Sequence, residues 1–380
     1  MTSKIASLFA SAALTLIASG AAQAENVLNV ASGGSQNMVD YVTDYLGPLF
    51  EEQNPGWSVK VVGTGPGNSG SQAILEKLKA QSGNDAWDTD VIVTTQLKTG
   101  EMVTEGLLQN FVADIDTGAL ATRDTSKSAL GVDVTGFVMP MFHSQTAIAY
   151  NPDLVATPPA SFDELKTWTA DHKGAFGYNG IKNGMSGVAF TAAWMYAYSG
   201  QTEQLMNGPY DAELKNSWDA ALDDLKAFNK NITFTPGNAG TLDMLNRGEI
   251  VMGPVWVDMF YTWQADGRLN PGLKLTLPEP GMPGQPYYYA IPAKAEHADA
   301  ARKFIALATS PDVQAEGIVK RFNWYPGIDA QHVEGSMAKA DWDKLFTDVT
   351  PADLAAKGQP FPLAPFFDDI REAYEMKVSN

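Results

Sequence analysis

The chain contains no cysteine. Disulfides, thiolate metal sites and a lipid-modified N-terminal cysteine are therefore excluded. Histidine is scarce: His143, His172, His297 and His332 are all there are. No two of them stand at the i, i+4 spacing of a zinc helix, and no H-E-x-x-H occurs, so neither a zinc enzyme nor any other metal site is expected. G-x-S-x-G is missing too. A secreted hydrolase, the enzyme alternative, would need a nucleophile with its base or a pair of carboxylates. Only the carboxylate pair is left open by this composition, so the expectation is a protein that is not an enzyme and carries no cofactor. Basic residues are outnumbered, 26 Lys and Arg against 44 Asp and Glu, for a net charge of −18. Nucleic acid is thereby disfavoured as a partner, because phosphate contacts need a basic patch. The acids are scattered rather than blocked, a pattern that serves solubility. Outside the N-terminus no run approaches the roughly 18 apolar residues of a membrane span.

The N-terminus is the exception. Lys4 precedes an apolar stretch from Ile5 to Ala21, and Ala22-Gln23-Ala24 is a small-x-small cleavage site. This pattern predicts a signal peptide over residues 1–24, secretion to the periplasm and a mature chain starting near Glu25. The remaining length favours two domains. Domains of that size bury cores large enough to dispense with disulfides.

The mature chain opens with strand, loop and helix in repetition. Strands are predicted at Val27–Ala31, Ser58–Val62 and Asp90–Val93. A helix with apolar positions at Met38, Tyr41, Val42, Tyr45, Leu46 and Leu49 follows the first. The Gly-rich stretch Gly63–Gly70 and a helix over Ser71–Gln81 follow the second. Such alternation indicates a parallel α/β sheet. Ligands of these sheets sit beyond the carboxyl ends of the strands. Three polar loops fall there and supply Ser35, Gln36, Asn68, Ser69, Thr95 and Gln96 as candidate ligand contacts.

Further on, Val138–Phe142 runs through His143, Ser144, Gln145 and Thr146 into Ala147–Pro152. This is an extended run, long enough to leave one sheet for another, with a helix start expected after it. Ser161 and Glu164 form a capping box for a helix over Phe162–Ala170. Helices are expected at Gly187–Tyr198 and Asp211–Asn229. The first follows Asn183-Gly184-Met185-Ser186, so its N-terminal amides suit polar ligand groups. Gly248–Gly253 and Leu273–Pro278 read as strands, Pro280–Gly284 as a loop and His297–Thr309 as a helix. Tyr287–Pro292 and Asn323–Gly327 are a second and a third candidate crossing. The tail from Trp342 reads as helical, with a Pro-rich break at 360–365.

Three segments in order carry a family resemblance: MFHSQTAIAYNPDLV, LNRGEIVMGPVW and YYYAIPAKAEHADAARKFIALATSPDVQ. Their order and spacing resemble the family 1 extracellular solute-binding proteins of bacterial ABC importers, the group that includes maltose-, polyamine-, thiamine- and iron-binding proteins. The resemblance covers essentially the whole mature chain. It implies a two-lobe, Venus-flytrap α/β fold of the type II periplasmic binding proteins. One lobe would take residues 25–141 and 292–322, the other 147–286 and 330–380. Hinges would lie near 141–147, 286–292 and 322–328. It further implies a monomer that binds a small solute between its lobes, closes on it and presents it to membrane permease subunits.

Polyols and sugars are held by aromatic faces with amides and hydroxyls. Candidates of that kind, beyond the six loop residues, are His143, Gln145, Ser186, Trp256, Asp258, Tyr288, Trp324 and Tyr325. An organic cation would need a carboxylate in the cleft, because a buried ammonium must be paired. Asp258 is the one acid placed there. Polyamine binders of the family carry Trp and Asp just before the I-P-A strand, whereas this chain has Tyr287-Tyr288-Tyr289. Iron binders often use paired tyrosines, but successive strand residues face opposite ways, so only Tyr288, or Tyr287 with Tyr289, can enter the cleft. Polyol or sugar therefore stands first, organic cation second and ferric iron third.

Overall fold

The computed structural model describes residues 26–379. The expected signal peptide over residues 1–24 lies outside the described residues. Among those described, no helix is long and apolar enough to cross a membrane.

Three parallel strands start the fold: β1 (Asn26–Ser32), β2 (Trp57–Gly63) and β3 (Val91–Thr95), in the order β2-β1-β3. β3 is buried along its whole length. That is the pattern of a parallel strand covered on both faces. The helix after β1 runs from Gln36 through a π-turn at Val42–Leu46 to Gln53. It buries Met38, Tyr41, Val42, Leu46 and Phe50 on one side. The Gly-rich stretch is shorter as a loop than the sequence suggested, because the next helix starts at Gly67 and runs to Ala80. Glycine is required inside it: a Cβ on Gly70 would stand 1.8 Å from the Gly65 carbonyl oxygen.

The centre of the molecule is β4 (Met139–Tyr150), 12 residues long. Its second half pairs with β5 (Met252–Trp256) and β6 (Lys274–Thr276). Its first half pairs with β7 (Met282–Ala290), and β7 pairs onward with β3 through Tyr287–Ala290. The short β8 (Tyr325–Pro326) lies on β4 at His143 and Phe142. The sheet order is thus β6-β4-β7-β3-β1-β2. Two lobes result, with this one sheet continuous through both, and all three predicted crossing segments meet on β4.

Buried side chains brace this crossing. Gln145 donates from Nε2 to the Met282 carbonyl at 2.6 Å, and Thr146 donates from Oγ1 to the Pro283 carbonyl at 2.6 Å. Gln314 is fully buried and donates from Nε2 to the Met141 carbonyl at 3.1 Å. Its Oε1 accepts from the Gly327 backbone N–H at 2.7 Å. The third segment lies so close to β4 that a Cβ on Gly327 would stand 2.0 Å from the Pro140 carbonyl oxygen.

Several boundaries differ from the sequence reading. After β4 the chain turns at Asn151 rather than starting a helix, and the helix Phe162–Asp171 comes later. Its capping is offset: Ser161 Oγ accepts from the Glu164 N–H, but the Glu164 carboxylate accepts from Ala160 rather than from Ser161. The helix expected at 211–229 is broken into a 3₁₀ segment Ala212–Ser217 and a helix Asp219–Phe228. Gly248, in the left-handed conformation, caps the helix Asn238–Arg247, so the strand expected at 248–253 moves to Met252–Trp256. Residues 282–284, expected in a loop, already belong to β7.

Candidate functional site

Two cavities, of about 730 and 720 Å³, lie against the crossing strands and share Ser144 and Gln285. These two residues are register partners between β4 and β7. Strand alternation separates the remaining residues: Phe142 borders the first cavity, while His143 and Gln145 border the second.

The first cavity receives the ends of β1 and β2 from one lobe. Ser35 and Gln36 line it at the start of the helix Gln36–Tyr41, with Asn68 and Ser69 from the first turn of Gly67–Ala80. Gln36 is tied to Asp40 at 2.8 Å, and Ser69 Oγ donates to the Pro66 carbonyl at 2.7 Å. The other lobe supplies Asn183, Gly184 and Met185 at the start of the helix Met185–Tyr198, and Asn238. Trp256 ends β5, and Asp258 and Met259 open the helix Val257–Ala265 beside it. Tyr287 and Phe142 stack at 5.3 Å between ring centres, and both border the cavity. Lys182, Asp266 and Arg268 stand among its more exposed lining residues, with the Arg268 guanidinium 3.7 Å over the Trp263 ring.

Asp258 is the distinctive group here. Ser144 Oγ donates to its carboxylate. Its own backbone N–H and that of Met259 also favour the charged form. Burial outweighs all three and pushes its pKa up to about 6. No ion pair to Asp258 is found among the described residues.

The second cavity has different chemistry. Gln96 reaches it from the start of the helix Gln96–Thr104 after β3, and Thr125 from the 3₁₀ turn Asp124–Ser126. His143 and Tyr325 enter from the crossing strands, and Trp342 and Phe346 from the tail. Tyr325 stacks on Phe346 at 5.2 Å, and Trp342 packs against the same ring at 4.9 Å. Four residues that line this space each hold an enclosed polar atom with no hydrogen-bond partner among the described residues: Gln96 Oε1, Thr125 Oγ1, His143 Nε2 and Tyr325 Oη. Burial and the nearby Arg123 charge hold the His143 pKa well below the ordinary imidazole range. The ring is therefore neutral at pH 7.

The candidates read from sequence thus divide. Ser35, Gln36, Asn68, Ser69, Trp256 and Asp258 border the first cavity, and Gln96, His143, Gln145 and Tyr325 the second. Thr95, Ser186, Tyr288 and Trp324 border neither. Thr95 is enclosed at the end of β3. Ser186 is fully buried and donates to Asn238 Oδ1 at 2.9 Å, so it holds in place a residue that does line the first cavity. Tyr288 points away from Tyr287 and donates to the Thr125 carbonyl. Trp324 is in the core, stacked on Phe142 at 4.2 Å and on Phe322 at 4.9 Å. Sequence reading named neither Ser144 nor Phe142 as a candidate, and it held Tyr287 only as the alternative to Tyr288. Period-2 alternation was the available signal, but its phase is not written in a run where both faces are apolar or polar alike.

Among the described residues, no group of three or more His, Asp or Glu side chains is placed to hold a metal ion. No curated protein matches the chain in sequence. Solved structures share its fold at low identity. PotD, a spermidine/putrescine ABC transporter substrate-binding protein from Streptococcus pneumoniae, is 14% identical with a TM-score of 0.67, over 93% of this chain and 99% of that one. The Atu4243–GABA receptor is 19% identical with a TM-score of 0.64, over 92% and 96%. Iron-bound HitA from Pseudomonas aeruginosa is 18% identical with a TM-score of 0.61, over 91% and 98%. Residues 49–355 match the family model described as bacterial extracellular solute-binding protein. With two lobes joined by crossing strands and cavities against that junction, the chain belongs to the bacterial extracellular solute-binding protein family.

Proposed function

We propose that the chain binds an organic amine in the first cavity, with Asp258 as its counter-ion, and delivers it from the periplasm to the permease of an ABC importer. One observation carries this reading. A carboxylate sits in an aromatic-walled cavity, is destabilised there by burial, and has no cationic partner among the described residues. A buried charge needs pairing, and an ammonium ion supplies it. Trp256 and Tyr287 offer the aromatic surface on which the alkyl part of an amine packs, with Phe142 stacked behind Tyr287. The order of ligand classes drawn from sequence is thereby reversed between polyol and amine. Iron is disfavoured further, because of the three consecutive tyrosines only Tyr287 borders either of the two cavities described.

Fold relatives whose names speak of spermidine, putrescine or GABA support an amine as the class. ABC import, a periplasmic location and a monomeric state belong to the same reading. The lobes are residues 25–141 with 292–322 and residues 147–286 with 330–380. They close by rotation about β4, β7 and β8.

A thermal-shift screen of residues 25–380 against amines, amino acids, polyols and sugars tests the proposal. A ligand present at 100 times its Kd adds about 2.7 kcal/mol to the folded state. An amine hit is expected. Hits confined to uncharged polyols or sugars would overturn the assignment of Asp258 as a counter-ion.

A further inference from the structure

We infer that Asn238 reads a second group on the solute and that this group is a carboxylate, so the amine is an ω-amino acid rather than a diamine. The inference rests on Asp258 as the counter-ion of the ammonium and names what the far end of the solute carries. Asn238 opens the helix Asn238–Arg247. That helix lies back along β5: the Met244 carbonyl accepts from the Glu249 N–H at 2.9 Å, and a Cβ on Gly253 would stand 3.2 Å from Thr241 Cγ2. Asn238, one turn before Thr241, therefore stands at the end of β5 that leads into Trp256 and Asp258. It borders the same cavity as they do.

The Asn238 amide is held in one orientation. Its Oδ1 accepts from the Ser186 backbone N–H at 3.2 Å, from Ser186 Oγ at 2.9 Å and from Asn179 Nδ2 at 2.9 Å. A backbone N–H can only donate, so the atom facing it is the oxygen. Gly184, at a φ of 155°, makes room for that oxygen, since a Cβ there would stand 2.4 Å from it. Ser186 and Asn179 are buried and border neither cavity. The end left toward the first cavity is Nδ2, a donor with no partner among the described residues. An ammonium has only donors and cannot pair with it, whereas a carboxylate has only acceptors. Charge favours the same choice. Lys182 lies two residues before Gly184, on the loop that wraps the Asn238 oxygen, and it borders the cavity with no ion pair among the described residues. Arg268 adds a second cation to the lining, and Asp266 is the one acid there besides Asp258.

Calorimetric titration tests this with ω-amino acids of about three to six carbons, each beside the n-alkylamine, the α,ω-diamine and the ω-amino alcohol of the same carbon count. At the best length the wild type should bind the amino acid at least about tenfold more tightly than the other three, since a charge-assisted hydrogen bond and a nearby cation act together on it alone. Asn238→Asp keeps an oxygen for Ser186 and Asn179 and turns the donor toward the cavity into a carboxylate oxygen. It should weaken the amino acid by about thirtyfold or more and favour the diamine over it. Lys182 is exposed, so Lys182→Gln is a change the fold tolerates. It should narrow the preference for amino acid over alkylamine by about threefold or more at low salt. Melting temperatures within a few degrees of wild type would show that both variants fold, and the comparison among ligands in the wild type stands without them. An alkylamine, diamine or amino alcohol bound as tightly as the amino acid, or a preference unchanged in either variant, would overturn the inference while leaving the amine reading intact. Failure of every amine to bind, or affinity unchanged in Asp258→Asn, would overturn the amine reading and this inference with it.

Discussion

The hydroxyl of Ser144, on the first crossing strand, donates a hydrogen bond to the carboxylate of Asp258, at the start of the helix after β5. The bond joins the strand that runs through both lobes to the helix of one of them, at one of the two residues that border both cavities. It also favours the charged form of a carboxylate that burial disfavours.

Removing that donor should be felt through Asp258. In Ser144→Ala the carboxylate loses a side-chain hydrogen bond, its pKa rises further, and amine affinity at pH 7 falls by about three- to thirtyfold. Calorimetry at pH 7 and at pH 8.5 checks the cause. If the loss comes from protonation, most of it is recovered at the higher pH.

The pH dependence of the wild type follows from the same group. With its pKa at about 6, Asp258 is ionised above pH 7 and progressively protonated below pH 6. Amine affinity should be flat above pH 7 and about tenfold weaker at pH 5. Folding carries the opposite sign. The folded state binds the proton more tightly than the unfolded chain does. The contribution of Asp258 therefore favours the fold at low pH and becomes unfavourable as pH rises from about 4 through about 6, by up to about 3 kcal/mol. Lys182, Arg268 and Asp266 also face the first cavity. Denaturant titrations of the ligand-free wild type and Asp258→Asn at pH 4 and pH 7.5 isolate the contribution: the variant should gain relative stability at the higher pH.

Two tryptophans that look alike in sequence should behave differently. Trp256 lines the first cavity, so Trp256→Ala should weaken amine binding by tenfold or more with a moderate loss of stability. Trp324 is fully enclosed between Phe142 and Phe322, so Trp324→Ala should destabilise the fold by about 3–5 kcal/mol. Parallel melting and binding measurements separate the two effects.

Gln314 bridges the first and third crossing segments with both ends of its amide. Gln314→Leu leaves the Gly327 N–H and the Met141 carbonyl short of a buried partner and should cost about 2–4 kcal/mol. Chemical denaturation measures this directly.

Much of the fold was legible in the sequence, because α/β alternation and the three crossing segments have strong local signals. β1, β2, β3 and β4 fell where periodicity put them, whereas β5 began four residues late because the pivot at Gly248 ends a helix rather than opening a strand. The site was legible only in part. Loop residues at strand ends, such as Ser35 and Asn68, follow from topology alone. On the crossing strands the phase decides, and Tyr287 rather than Tyr288 borders the first cavity. Trp324 could not be told from Trp256, since aromatic bulk suits a core as well as a binding wall.

The role of Asp258 as counter-ion is tested most directly by calorimetric titration of putrescine, spermidine and GABA into wild-type protein and Asp258→Asn at pH 7.5. At least one should bind the wild type and lose thirtyfold or more in the variant, as expected when one partner of a buried charge pair is removed. An amine that binds both proteins equally well would contradict it.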